Sequence, residues 1–249
     1  MQYGMKLAEG KTKTVYAHAD NPHLAYLVHK DSITAGDGAR RNVIEGKGQV
    51  AGRTTANVFT YLNRHEVPTH FVSAPAADVT LVRRCTMIPI EVVMRRLATG
   101  SYLKRHPDTA EGHRFEPPLV EFFLKDDARH DPQISGLEIV KSDIASDVEV
   151  DLFIKLGRQV FELLEQAWAR QSIQLVDLKI EFGRLLGFSA DNLVVADVID
   201  NDSWRLWPGG DKAQMLDKQI YRNMQVVTQK GLADLMEKYR TVAEMTAQF

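Results

Sequence analysis

From Val176 to Phe182 the chain reads V-D-L-K-I-E-F, with Asp177, Lys179 and Glu181 on one parity and Val176, Leu178, Ile180 and Phe182 on the other. Successive side chains of a β-strand point to opposite faces, so the run predicts a strand with one charged and one wholly apolar face. Gly183 breaks it, and after a short polar loop the apolar stretch 193–199 is expected to return as an antiparallel partner that brings Asp197 alongside the charged face. Two carboxylates beside a lysine on a rigid sheet suit Mg²⁺, which takes few protein carboxylates and completes its octahedron with phosphate oxygens and water. A solvated sheet face is the competing reading. The next segment, Asp200-Asn201-Asp202-Ser203-Trp204-Arg205-Leu206-Trp207, favours the site: it sets carboxylates, an amide and an arginine beside two tryptophans. It lacks the glycine and spaced glutamate of a calcium-binding EF-hand loop.

The remaining composition narrows the classes. A chain of 249 residues, 44% hydrophobic and 26% charged, can bury a substantial core in one large or two modest domains. The net charge of -2 gives no global basic field for nucleic acid, so any anion site must be built locally. Cys85 is the only cysteine, which rules out an intrachain disulfide framework or a thiolate zinc cluster. The first residues lack a signal-peptide core and no apolar run reaches membrane-spanning length. The expectation is a soluble, cytoplasmic protein with no membrane or nucleic-acid partner.

Apolar segments near 13–17, 24–29, 69–74 and 79–84 read as strands, interrupted by a helix between Gly48 and His65 on which Val50, Thr54, Val58, Tyr61 and Leu62 recur at helical spacing. A strand near 88–97, a long amphipathic helix over 148–171 and the strand pair above follow. Two C-terminal helices are expected near 211–223 and 231–248. The plan is α+β: a small antiparallel-sheet lobe over 1–85 and a larger mixed α/β lobe over 86–249, with the cleft between them as the default ligand site.

Three further segments carry chemistry. In Glu9-Gly10-Lys11-Thr12-Lys13 a glycine permits close approach to a phosphate, and two lysines on alternate positions can point toward it. It is not a Walker loop, whose first glycine would fall on Met5, and a plain turn at a strand start is the competing view. The run from Lys30 to Arg41 holds two glycines, hydroxyls and flanking arginines, and reads as a mobile loop able to wrap an anion. In Arg95-Arg96-Leu97-Ala98-Thr99-Gly100-Ser101 an arginine leaves an apolar strand for a Gly-Ser turn, a phosphate-monoester clamp or else a surface pair. No zinc-type histidine spacing and no G-x-S-x-G elbow is present. Magnesium, phosphate and positive charge remain, which suggests phosphoryl chemistry.

E-G-K-T-K at 9–13, D-S-I-T-A-G-D-G-A-R at 31–40, I-P-I-E-V-V-M-R-R-L-A-T-G-S at 88–101, F-F-L-K-D-D-A-R-H-D-P at 122–132, V-D-L-K-I-E-F-G at 176–183 and D-N-D-S-W-R-L-W-P at 200–208 resemble the signature blocks of the phosphoribosylaminoimidazole-succinocarboxamide synthase (SAICAR synthetase) family, in family order. The resemblance implies a two-lobed, kinase-like or ATP-grasp-like fold with ATP in the cleft. It implies a ligase that joins carboxyaminoimidazole ribotide (CAIR) and L-aspartate at the expense of ATP, with Mg²⁺, and a homo-oligomer.

Under that reading Lys11, Thr12 and Lys13 serve the ATP phosphates, and Met87 lines the adenine pocket. Glu181 and Asp197 hold Mg²⁺, while Lys179 reaches the reacting carboxylate or the transferred phosphoryl. Arg95, Ser101 and Arg205 clamp the ribotide phosphate, and Asp177 accepts from its ribose hydroxyls. Asp37, Lys125 and Asp131 serve the ribotide or aspartate, Asp131 with a catalytic role. A small-molecule kinase or a non-catalytic nucleotide-binding module stays open beside the ligase. A second anion clamp, beyond the one ATP needs, is the feature that argues against both.

Overall fold

Glycine and proline turns cut the N-terminal residues into short strands. The computed structural model describes residues 1–36, 38–187 and 192–249. It begins with β1 (Tyr3–Glu9), β2 (Lys13–His18), β3 (Leu24–His29), β4 (Ser32–Ala35), β5 (Arg40–Val43), α1 (Lys47–Arg64), β6 (Phe71–Ala76) and β7 (Val79–Arg83). Five of these strands form an antiparallel sheet in the order β1-β2-β3-β7-β6, and β4 and β5 pair as a hairpin. The amides at the start of α1 have no intrahelical partner, and the Asp31 carboxylate takes them, accepting from Gly46 N–H at 3.2 Å and Gly48 N–H at 2.8 Å. Gly46 makes the approach possible with φ 79.

Next come β8 (Cys85–Leu97), α2 (Ser101–Arg105), β9 (Arg114–Leu124), β10 (Gln133–Ile134), α3 (Gly136–Lys141), α4 (Asp147–Ala169), β11 (Ile173–Leu185), β12 (Leu193–Ala196), β13 (Trp204–Pro208), α5 (Gln219–Asn223) and α6 (Gln229–Thr246). The chain packs into two compact units. The first comprises Met1–Ile88, Glu181–Ser203 and Leu216–Phe249, and the second Pro89–Ile180 and Trp204–Met215.

In the first unit α6 lays Leu232, Leu235, Met236 and Tyr239 on Ile33, Ile44 and Tyr221. This apolar face brings 216–249 into the first unit, which a single cut at Cys85 does not anticipate. The far end of β11 pairs antiparallel with β12 in the register Glu181↔Ala196.

In the second unit β10-β9-β8-β11 run in order, and β13 pairs with the near half of β11 in the register Asp177↔Arg205. The long helix α4 starts with a capping box between Ser146 and Glu149. It buries Phe153, Val160, Phe161, Leu164 and Trp168 completely. Trp168 meets Trp204 edge-on at 5.3 Å. The charged face of β11 is not solvated, for Asp177 is 5% and Glu181 2% exposed.

Two expected elements differ. The run 31–41 is built largely as the β4–β5 hairpin rather than as an open anion loop. Arg40, one of its flanking arginines, donates to the carbonyls of Tyr221 and Met224 at 3.0 and 2.7 Å. The helix expected over 211–223 shrinks to a 3₁₀ turn at Lys212–Gln214 and the short α5. Asp211 and Asp217 each cap an amide two residues ahead, at 2.8 Å, and so favour separate turns over one continuous helix.

Candidate active site

In the first unit the 9–13 turn is strapped by a lysine just beyond β3. Gly10 N–H donates to the Lys13 carbonyl at 2.9 Å, while Lys30 pairs with Glu9 at 2.5 Å and donates to the Gly10 carbonyl at 3.0 Å. Hydrogen bonds from Lys30 and Lys6 pull the Glu9 carboxyl down to about 2. Lys13 opens β2, and its ammonium lies 2.5 Å from Asp197 Oδ1. Asp197 follows β12 directly and has φ 65, a left-handed conformation that departs from strand alternation. Glu181 is paired with Ala196, the neighbour of Asp197, so the two carboxylates come from adjacent strands.

Other groups of the first unit complete this setting. Met87 is 41% exposed, and its sulfur would lie 3.3 Å from a Cβ placed on Gly183. Behind it, burial pushes the Cys85 thiol up to about 11. Asp202 pairs with Lys218 at 3.0 Å, lies 3.9 Å from Lys47, and accepts from the Tyr239 hydroxyl at 3.3 Å. Burial alone would raise the Asp202 carboxyl, but Lys47 and Lys218 hold it well below the usual range. Its neighbour Asp200 moves the other way, raised by burial and by the charge on Asp202.

The second unit carries an arginine-rich cluster. Arg95, 3% exposed, donates from Nε to Glu121 at 2.5 Å and from Nη1 to Asp177 Oδ2 at 2.8 Å. Arg205 donates to the same Asp177 oxygen, and Arg105 to the other oxygen of Glu121. Three guanidinium groups thus meet two carboxylates, which leaves one positive charge in excess within the group. The Arg205 fork lies where a side chain on Gly100 would be, with Nη2 2.7 Å from a Cβ placed there. Gly100 has φ 59, and Ser101, exposed, opens α2 beside it. Lys179 reaches Glu91 on β8 at 3.2 Å.

The SAICAR synthetase family profile matches residues 6–239 of the chain. A phosphoribosylaminoimidazole-succinocarboxamide synthase from Herpetosiphon aurantiacus is 63% identical over 250 residues, covering 100% of each sequence. The chain belongs to the SAICAR synthetase family. The crystal structure of the phosphoribosylaminoimidazole-succinocarboxamide synthase from Ehrlichia chaffeensis matches with a TM-score of 0.88 at 32% identity, over 98% of this chain and 99% of that one. A SAICAR synthetase in complex with ADP matches with a TM-score of 0.84 at 30% identity, over 96% of each. As a SAICAR synthetase the chain is a ligase of purine biosynthesis that uses ATP, and its mixed α/β class with antiparallel sheets is that of the family.

Among the residues expected to carry the SAICAR synthetase reaction, Lys13, Glu181 and Asp197 lie in one unit and Arg95, Asp177 and Arg205 in the other. Lys11 is exposed and Thr12 half-buried in the strapped turn. Lys125 is exposed just beyond β9, and its N–H donates to the Pro89 carbonyl at 3.0 Å. Asp131 accepts from Asp126 N–H at 2.8 Å, so its carboxylate closes the 126–131 loop, a structural task its sequence setting did not suggest. Asp37 lies outside the described residues.

Sequence reasoning missed Glu121, Arg105 and the buried Lys47. Glu121 is a charge inside the apolar run Leu119-Val120-Glu121-Phe122-Phe123. A charge facing a buried sheet was the available signal.

Proposed function

We propose that this chain joins the carboxylate of CAIR to the amine of L-aspartate in two steps. A CAIR carboxylate oxygen attacks the ATP γ-phosphorus and ADP leaves. The aspartate nitrogen then attacks the acyl carbon of the resulting acyl phosphate, loses a proton, and expels phosphate, which carries away the former carboxylate oxygen. Activation is needed because an unmodified carboxylate has only oxide to expel.

The observation that carries this reading is the Arg95–Asp177–Arg205 cluster with its excess positive charge. ATP binding alone does not call for a second guanidinium clamp, whereas a ribotide phosphate does. Arg205, with Ser101 next to Gly100, takes that phosphate, and Arg95 holds Asp177 and Arg205 in place while adding its charge. Asp177 orients Arg205 and accepts from a ribose hydroxyl. The strapped turn offers Lys11, Thr12 and Lys13 to the nucleotide phosphates, and the exposed Met87 receives the adenine. Lys125 meets the aspartate carboxylates.

The donor set also fits Mg²⁺. Among the described residues no three His, Cys, Asp or Glu side chains converge as a metal cage. Two carboxylates, Glu181 and Asp197, are what a hard cation bound chiefly through substrate phosphates requires. The Lys13 ammonium on Asp197 marks where that carboxylate holds positive charge. Mg²⁺, when bound, neutralises the phosphate charge that builds up at γ-phosphoryl transfer. Lys179 steadies the CAIR carboxylate from the same strand.

Omission assays test the reading. Purified protein with ATP and Mg²⁺ is expected to release ADP steadily only when CAIR and aspartate are both present. Steady ADP release with CAIR alone, accompanied by a stable phosphorylated product, would replace the ligase with a kinase.

A further inference from the structure

The helix α2 is five residues long, too short to keep its shape without tertiary ties, and no side chain among the described residues caps its start. Its first residue is Ser101, which with Arg205 takes the ribotide phosphate in the function proposed. The turn leading into it is tied on one flank. Ala98 N–H donates to the His113 carbonyl and Gly112 N–H to the Ala98 carbonyl, both at 2.8 Å, and the Thr99 hydroxyl donates to Glu111 at 2.7 Å. On the other flank the tie is Arg105, whose Nη1 donates to the Ser101 carbonyl at 3.2 Å.

Arg105 is itself braced on β9. Glu121 and Phe123 stand two residues apart on that strand and so share a face. Arg105 Nη2 donates to Glu121 Oε1, and the guanidinium lies over the Phe123 ring, 5.1 Å from its centroid. Gln133 reaches the same Glu121 oxygen at 3.2 Å, while the other oxygen accepts from Arg95 at 2.5 Å. A buried carboxylate between two guanidinium groups fixes the direction of both. The Arg105 Nε is buried without a hydrogen-bond partner, a cost that an apolar side chain of similar length would not carry. With Nη1 and Nη2 engaged and Nε enclosed, Arg105 acts on what it holds and not on a ligand.

We propose that Arg105 is a positioning residue for the ribotide phosphate: braced on Glu121, it holds the Ser101 carbonyl, and with it the first turn of α2, so that the Ser101 hydroxyl meets the phosphate beside Arg205. Glu121 also fixes Arg95, which shares an Asp177 oxygen with Arg205, so one buried carboxylate orients both halves of the clamp. The turn already lies tight against Arg205, whose Nη2 would be 2.7 Å from a Cβ on Gly100. The inference rests on Ser101 and Arg205 as the phosphate clamp, so its test carries separate controls for that reading.

Steady-state kinetics of the full chain, each substrate varied in turn, are measured for Arg105→Met, Ser101→Ala, Arg205→Met and the double variant Arg105→Met/Ser101→Ala. Arg105→Met keeps an unbranched stem over Phe123 and removes the guanidinium. It is expected to raise the KM for CAIR about 10-fold, with kcat within about 2-fold and the KM for ATP unchanged. Because Arg105 works through Ser101, the same substitution in the Ser101→Ala background is expected to add less than about 2-fold. A lowered kcat with the KM for CAIR unmoved, or a full added effect in the Ser101→Ala background, marks a scaffold role and overturns the proposal. A wild-type KM for CAIR in Arg105→Met beside raised values in Ser101→Ala and Arg205→Met overturns the role of Arg105 and leaves the clamp standing. Wild-type values in Ser101→Ala and Arg205→Met overturn the clamp and the role of Arg105 with it. If Arg105→Met does not fold, Arg105→Lys decides, since lysine keeps the charge beside Glu121 but lacks the fork that reaches Glu121 and the Ser101 carbonyl together. A raised KM for CAIR is expected there too, and a wild-type value overturns the proposal.

Discussion

Arg205 lies directly opposite Asp177 in the β11–β13 register, and its guanidinium shares one Asp177 oxygen with Arg95. A carboxylate held by two forks is fixed in direction, and so are the forks. Arg95→Lys keeps the charge but cannot reach Glu121 and Asp177 together, as the present Nε and Nη1 bonds do. The expected result is a fall in kcat/KM for CAIR on the order of 10- to 100-fold, from the loss of a buried charge-assisted hydrogen bond. The KM for ATP should change much less. Steady-state kinetics at saturating aspartate check this, and equal effects on both substrates would detach Arg95 from the ribotide.

Glu181→Gln and Asp197→Asn remove one negative charge each without changing shape. Each is expected to lower turnover by about 10²-fold or more, the usual consequence of losing charge stabilisation in the transition state. A Mg²⁺ titration of each variant checks the assignment, since a residue whose variant keeps normal turnover across the titration is not a metal ligand.

Much of this was legible in the sequence, and the reasons differ by element. The alternation from Val176 to Phe182 reported β11 because side-chain parity is a local property. The register that sets Arg205 opposite Asp177 is not local, since it joins residues 28 apart. Glu181 and Asp197 were reachable because the same short-range return brings β12 back on β11. The Arg40 bonds to Tyr221 and Met224 span more than 180 residues, and no local pattern announces them. The helix expected over 211–223 failed for the opposite reason: Asp211 and Asp217 act locally and outweigh a weak helical period.

His29 pairs with Lys13 in the β2–β3 register and is buried, its ring held down to about 3 by burial and by the charges of Lys13 and Lys47, with Asp197 opposing. The folded ring is thus neutral where the unfolded chain, near 6.5, begins to take a proton. Above that pH the group contributes its full stability. As pH falls from about 6.5 toward about 3 the unfolded state binds the extra proton, and stability declines by up to roughly 1.4 kcal/mol per pH unit. Urea unfolding of the wild type and His29→Gln between these limits should give a shallower acid slope for the variant.

Gly52 on α1 faces the β6–β7 turn so closely that a Cβ would meet the Ala77 carbonyl, with Asp78 Cα only 3.2 Å away. These are backbone atoms with no rotamer to yield. Gly52→Ala is expected to destabilise by about 1–3 kcal/mol, seen as a fall in Tm of roughly 2–12 °C. Both KM values should stay unchanged, because the clash lies in the scaffold.

Activation of the CAIR carboxylate by phosphoryl transfer is tested most directly with CAIR carrying ¹⁸O in both oxygens of that carboxylate. Mass spectrometry of the products from the purified protein with ATP, Mg²⁺ and aspartate is expected to find one ¹⁸O in the released phosphate and one in the SAICAR amide. Phosphate free of ¹⁸O while SAICAR accumulates would contradict the acyl-phosphate route.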